Sequence, residues 1–171
     1  MKIAILGKMC SGKTTTANLI KQMDSRYEIF SFGQKVKDVA SDLFDMKEKD
    51  RSLLISIGTK MRDIDSEVWV NYIMKKVNYK DFCIIDDLRY QNEYEACFKN
   101  GFVFIKLDIS PELQKERIIR LYPTTYEDHL KNIDHQSEKN EWYQKRSCDL
   151  TIHSEMNIKS IEQKIYLLLS K

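Results

Sequence analysis

The sequence predicts an α/β protein whose core is a parallel sheet of about five strands. Three observations carry that expectation. The apolar run Ile3-Ala4-Ile5-Leu6 is followed at once by Gly7-Lys8-Met9-Cys10-Ser11-Gly12-Lys13-Thr14 and then by helical spacing, the order strand, turn, helix. Phe82-Cys83-Ile84-Ile85 is an unbroken apolar run too short for a helix, as a central strand covered on both faces requires. Strand-like and helix-like segments then alternate to the end of the chain, which implies right-handed crossovers and a ligand site at the carboxyl ends of the strands.

Taken in order, Lys2 to Leu6 is the first strand and Lys13 to Met23 the first helix, with Ala17, Ile20 and Met23 on one face. Tyr27 to Phe32 alternates bulky and polar residues as a short strand that Gly33 ends. Val36, Val39, Ala40, Leu43 and Phe44 recur at helical spacing, with Lys35, Lys37, Asp38 and Asp42 opposite, so an amphipathic helix follows. Leu54, Ile57 and Met61 suggest another helix and Val68, Trp69, Tyr72, Ile73 and Val77 a third, separated by the charged turn Arg62-Asp63-Ile64-Asp65. Residues 33–78 thus read as wholly helical. The strand at Phe82 ends in Asp86-Asp87. Tyr90 to Asn100 is then a helix closed by Gly101, and Phe102 to Leu107 the next strand. Ser110-Pro111-Glu112 starts a helix, Ser as cap and Pro in the first turn, with Leu113, Ile118, Ile119 and Leu121 apolar and Lys115, Arg117 and Arg120 on the polar side. Tyr122 to Arg146 turns polar and charged and reads as a surface excursion. Leu150-Thr151-Ile152 is a last short strand, and Ile158, Ile161, Ile165 and Leu168 mark a final helix.

A chain of 171 residues holds one well-buried core, so a single domain over 1–171 is expected, any second unit being an insertion. With 28 Lys+Arg against 26 Asp+Glu the net charge is +2, which supplies no basic stripe for a nucleic-acid polymer. Cys10, Cys83, Cys97 and Cys148 form no C-x-x-C pair and read as reduced. The glycine-rich loop begins at residue 7, which leaves no room for a signal peptide, and no run is long and apolar enough for a transmembrane span. A cytoplasmic protein without a membrane partner is expected.

The loop Gly7 to Thr14 has the chemistry of a phosphate cradle. Its two glycines let backbone N–H groups turn inward, and the helix behind adds its positive end at the same spot. Lys13 can reach the β and γ phosphates of a nucleotide while the Thr14 hydroxyl ligates Mg²⁺. Gly7, Cys10, Ser11, Gly12, Lys13, Thr14 and Thr15 are the expected ATP-binding set. A carboxylate at the end of an apolar strand completes such a site by holding Mg²⁺ through water, and Asp86 and Asp87 compete for that role. Asp87 is favoured, with Asp86 capping the next helix or pairing with Arg89 as the alternative. Arg89 leaves the same strand end and presents a bidentate donor to a second phosphate. Arg62, in its charged turn, grips the acceptor's phosphate or pairs with Asp63 or Asp65. Arg117 and Arg120 lie one helical turn apart, either covering the transferred phosphoryl group beside ATP or forming a solvated face. Trp69, Tyr72 and Tyr90 are core residues or stacking platforms for a base. His135-Gln136-Ser137-Glu138 clusters polar groups without zinc-ligand spacing.

Taken together, the phosphate loop, Ser31-Phe32-Gly33-x-x-x-Lys37, Ile57-Gly58-Thr59 with Arg62-Asp63-Ile64-Asp65, Asp87-Leu88-Arg89-Tyr90-x-Asn92-Glu93 and His135-x-Ser137-Glu138 follow one another in an order that resembles the deoxynucleoside monophosphate kinases of bacteriophages and large DNA viruses. The chain departs from that family at Thr14, where members often carry Asp, at Asp86, where a small residue is usual, and at Gln91, where Pro is usual. The resemblance implies a three-layer α/β/α phosphate-loop kinase fold with a helical acceptor-binding insert at 33–78 and a lid at 111–146. It implies phosphoryl transfer from Mg·ATP to a deoxynucleoside 5′-monophosphate, with Lys13, Asp87, Arg89 and Arg117 catalytic, Arg117 and Arg120 on ATP, Arg62, Arg89, Trp69 and Tyr90 on the acceptor, and Thr14 and Asp87 on the metal. Small-molecule nucleotides are the implied partners, and a homodimer is left open. A phosphate-monoester kinase of the phosphomevalonate type and a nucleotide-binding regulatory module are the rival readings.

Overall fold

The computed structural model describes residues 1–135, 138 and 148–170. Five strands, β1 (Lys2–Gly7), β2 (Glu28–Phe30), β3 (Cys83–Leu88), β4 (Phe102–Asp108) and β5 (Leu150–His153), form one sheet in the order β2-β3-β1-β4-β5. Every neighbouring pair is parallel. The helices given by the described residues are α1 (Lys13–Met23), α2 (Phe32–Phe44), α3 (Arg51–Ile64), α4 (Val68–Val77), α5 (Gln91–Lys99), α6 (Pro111–Leu121), α7 (Tyr126–Lys131) and α8 (Ile158–Leu169). This is the expected three-layer α/β/α fold, with helices on both faces of a parallel sheet.

Side chains alternate across the strands, so each face of the sheet buries its own apolar set. Ala4 and Leu6 of β1, Cys83 and Ile85 of β3, and Phe102 and Phe104 of β4 pack with Val36, Ala40, Trp69, Ile73 and Val77 from α2 and α4. Ile3 and Ile5, Ile84, and Ile105 and Leu107 face the other way, against Ala17 and Ile20 of α1 and Ile165 and Leu168 of α8. From β1 the chain first crosses to β2 and β3 on one side and later to β4 and β5 on the other. That reversal opens a crevice at the carboxyl ends of the central strands. Among the described residues no helix is long and apolar enough to cross a membrane.

Three expectations need correction. Phe32 and Gly33 belong to α2 rather than closing β2, because the Asp87 carboxylate accepts from both of their backbone N–H groups at 2.7 Å and so starts the helix from across the sheet. Arg62 is not in a turn: α3 continues to Ile64 and Asp65 caps it, placing Arg62 in the last helical turn. The excursion after Tyr122 is partly packed, since it contains α7, whose His129 is fully buried and stacked on Tyr122 at 4.0 Å, and it returns Glu138 to the interior at 1% exposure. Gln136, Ser137 and residues 139–146 of that excursion lie outside the described residues.

Candidate active site

The glycine-rich loop joins β1 to α1 with the backbone its residues predict. Gly7 has φ +155°, and a Cβ there would meet the Leu107 carbonyl oxygen and the Ser11 hydroxyl, each at 2.7 Å. Gly12, at φ +100°, makes the second sharp turn, and Cys10 adopts φ 62° between them. The Thr16 N–H bonds the Gly12 carbonyl at 2.9 Å, which brings the positive end of α1 to the loop. Lys13 is buried and its Nζ donates to the carbonyls of Gly7 and Lys8, each at 2.7 Å. Burial, and then Arg89, push the Lys13 ammonium well below its ordinary range, against the opposing pull of Asp87 and Asp86.

The two carboxylates at the end of β3 divide their work contrary to expectation. Asp86, not Asp87, faces the loop: it accepts from the Thr14 hydroxyl at 3.0 Å and from the Ser31 hydroxyl, and is itself buried. Asp87 has both oxygens on the backbone of α2, and burial together with the neighbouring Asp86 raises its pKa. A hydroxyl and a carboxylate in contact at the mouth of a phosphate loop are hard oxygen donors of the sort Mg²⁺ takes while keeping several waters. Thr14 and Asp86 therefore fit that ion, whereas Asp87 is committed elsewhere.

Across the crevice stands a group of cations. Arg89 follows β3, Arg51 begins α3, and Glu138 receives both guanidinium groups while its other oxygen accepts from the Met9 N–H at 2.7 Å. Burial, with Arg51 next, lowers the Arg89 pKa to about 10. Arg62 donates to the Gly58 carbonyl at 3.1 Å, pairs with Glu93 at 3.3 Å and lies 3.8 Å over the Tyr90 ring. Glu93 also accepts from the N–H groups of Arg89 and Tyr90, which fixes the turn that carries Arg89. Lys49 donates to the Tyr122 hydroxyl, and burial plus Arg51 lower its pKa to about 8. Arg51, Lys49 and Glu138 were missed as site residues. Arg51 and Lys49 carry no periodic signal, and Glu138 lies in the polar cluster that reads most simply as surface.

One sequence-predicted residue has other work, and a second is tied to the loop while lining the crevice. Trp69 is buried in the core and donates to the Gly58 carbonyl at 3.2 Å, so it is no wall of the crevice. Arg117 points back at the loop, donating to the carbonyls of Cys10 at 3.1 Å and Ser154 at 2.7 Å, while Gln114 of the same helix donates to the Met9 carbonyl at 3.0 Å. Helix α6 thus braces the phosphate loop, and Arg117 lines the crevice beside it. Arg120 is exposed at the crevice rim. The crevice holds about 690 Å³ and is lined by the loop from Met9 to Thr16, by Asp86, Asp87 and Arg89, and by Lys37, Lys49, Arg51, Arg62 and Tyr90. That volume is in the range of small-molecule sites.

The sequence matches the AAA domain family over residues 3–141. A search among curated proteins finds no significant match. Solved structures share the fold at low identity. Shikimate kinase from Aquifex aeolicus is 20% identical with a TM-score of 0.56, covering 99% of this chain and 96% of that one. A gluconokinase from Sinorhizobium meliloti is 13% identical with a TM-score of 0.64, covering 99% and 91%. Deoxyadenosine kinase from M. mycoides, solved with bound dATP, is 19% identical with a TM-score of 0.60, covering 100% of both chains.

Proposed function

The chain belongs to the AAA domain family, and from that premise we propose that it is a kinase transferring the γ-phosphoryl group of Mg·ATP to a deoxynucleoside 5′-monophosphate. The supporting observation is a second group of cations. Arg51, Arg62, Arg89, Lys37 and Lys49 line the same crevice as the phosphate loop, and Glu93 and Glu138 offset only part of that charge. An acceptor that is itself a phosphate monoester matches that excess.

The chemistry then needs little proton transfer. A monoester has its second pKa near about 6, so its oxygen is ionised at neutral pH and the enzyme's task is to bring two anions together. Lys13 neutralises the donor phosphates, and Arg89 and Arg62 hold the acceptor, aligning it with the loop across the crevice. Bound Mg²⁺, held by Thr14 and Asp86, would screen the β and γ phosphates. Arg117 keeps the loop in shape and so acts on catalysis through it, while Arg120 stays available to the transferred group. Tyr90, stacked under Arg62, is the aromatic wall nearest the acceptor.

A second reading, a kinase for a small carboxylate-bearing metabolite, draws on the same guanidinium groups, which bind carboxylate and phosphate alike. The neighbours named shikimate kinase and gluconokinase give it weight. Coupled ADP release with a panel of nucleoside monophosphates and sugar acids separates the two, and turnover only with the acids would replace the nucleotide reading. Arg89→Ala should lower kcat/KM for the monophosphate roughly ten- to more than a hundredfold, the worth of a charged hydrogen bond, with ATP affinity by calorimetry nearly unchanged. Collapse of ATP affinity with acceptor affinity intact would reverse the assignment.

A further inference from the structure

Glu138 touches both halves of the crevice. One of its oxygens receives Arg51 from the start of α3 and Arg89 from the end of β3, and the other accepts the Met9 N–H of the phosphate loop. Its side chain is 0% exposed and lies outside the crevice wall, whereas Met9, Arg51 and Arg89 all form part of that wall. The carboxylate therefore stands behind the two arginines and does not occupy the place of an incoming anion. Two guanidinium groups brought to one oxygen repel each other unless a negative charge lies between them, and a buried site strengthens both effects. Arg51 is more than nine-tenths buried, yet its Nε has no hydrogen-bond partner, a donor left over in a group already fixed at its other end.

Building on the proposed monophosphate acceptor, we propose that Glu138 is a positioning residue that sets Arg51 beside Arg89 as a two-arginine clamp for the acceptor's phosphate and ties that clamp to the phosphate loop through Met9. Arg51 thereby becomes a second acceptor ligand. One carboxylate fixes the distance between the acceptor clamp and the donor cradle, the quantity on which an in-line transfer depends. The polar cluster His135 to Glu138 takes its functional meaning from this residue.

The experiment is Glu138→Gln, which keeps the shape and an acceptor for Met9 but removes the charge. The acceptor KM should rise about tenfold or more while the ATP dissociation constant by calorimetry changes less than about threefold. Arg51→Lys should show the same split, and the double variant should be no worse than the poorer single, because both changes dismantle one clamp. An unchanged acceptor KM in folded Glu138→Gln overturns the proposal, as does tighter acceptor binding, which would make the carboxylate a competitor of the substrate. Equal weakening of ATP and acceptor reduces Glu138 to a structural residue and also overturns it. Should Glu138→Gln fail to fold by circular dichroism, Arg51→Lys decides alone, and an acceptor KM within about twofold of wild type refutes the clamp. Wild-type enzyme inert toward every monophosphate would remove the functional reading first, and the clamp with it.

Discussion

Asp86 and Asp87 are neighbours in the chain and point to opposite faces of β3, so one meets Thr14 and Ser31 while the other meets the backbone of α2. Their replacement should therefore separate cleanly. Asp86→Asn should leave the thermal midpoint within a few degrees but raise the Mg²⁺ concentration needed for half-maximal turnover. Asp87→Asn should lower stability by about 1 to 3 kcal/mol, since one of two part-buried backbone donors at the start of α2 loses its carboxylate partner. Urea unfolding and a Mg²⁺ titration read the two effects, and a reversed pattern would return the metal role to Asp87. Lys13→Ala should fold, because the ammonium contacts only loop carbonyls. It should lose on the order of 10³ in kcat, as transition-state electrostatics do elsewhere. Near wild-type kcat in the folded variant would remove the kinase reading.

Elements whose signals are local were legible in the sequence. The run into Gly7, the cap at Ser110 followed by Pro111, and the apolar stripe of α4 each carry their own punctuation, and the structure has a strand, an α6 start and a helix there. Elements fixed from a distance were not. The start of α2 depends on a carboxylate 55 residues away, so Gly33 reads locally as the end of a strand. Glu138 is buried only because arginines 87 and 49 residues distant neutralise it, which polarity alone cannot announce. The turn into α5 shows what such burial costs. Burial, and then Asp87, raise the Glu93 pKa from 4.5 to about 7, with Arg62 opposing. Between those values the folded protein keeps a proton that the unfolded chain has released, so stability should decline as pH rises from 4.5 to about 7. The decline is on the order of 3 kcal/mol at about 1.36 kcal/mol per unit, with raised Asp87 acting in the same direction. Glu93→Gln should flatten that slope in pH-dependent unfolding, and an unchanged slope would assign it to another group.

For the molecule as a whole, the sheet order places the phosphate loop, Asp86 and the arginine group at one end, and the three helices between β2 and β3 bring Arg51 and Arg62 over it. On the proposed reading the aromatic wall of the acceptor's place is Tyr90 under Arg62, since Trp69 is committed to the core. A wall of that kind against the 2′ carbon of a deoxyribose leaves an added hydroxyl crowded and without a partner. Apolar packing discriminates by about 1 to 3 kcal/mol, or roughly 10- to 200-fold. The most direct measurement is kcat/KM by coupled ADP release for matched deoxy and ribo monophosphates of each base. Turnover of at least one deoxynucleotide with a deoxy preference in that range is the predicted result. A ratio near one or favouring ribose would contradict the sugar assignment, and no turnover with any nucleotide would contradict the acceptor class itself.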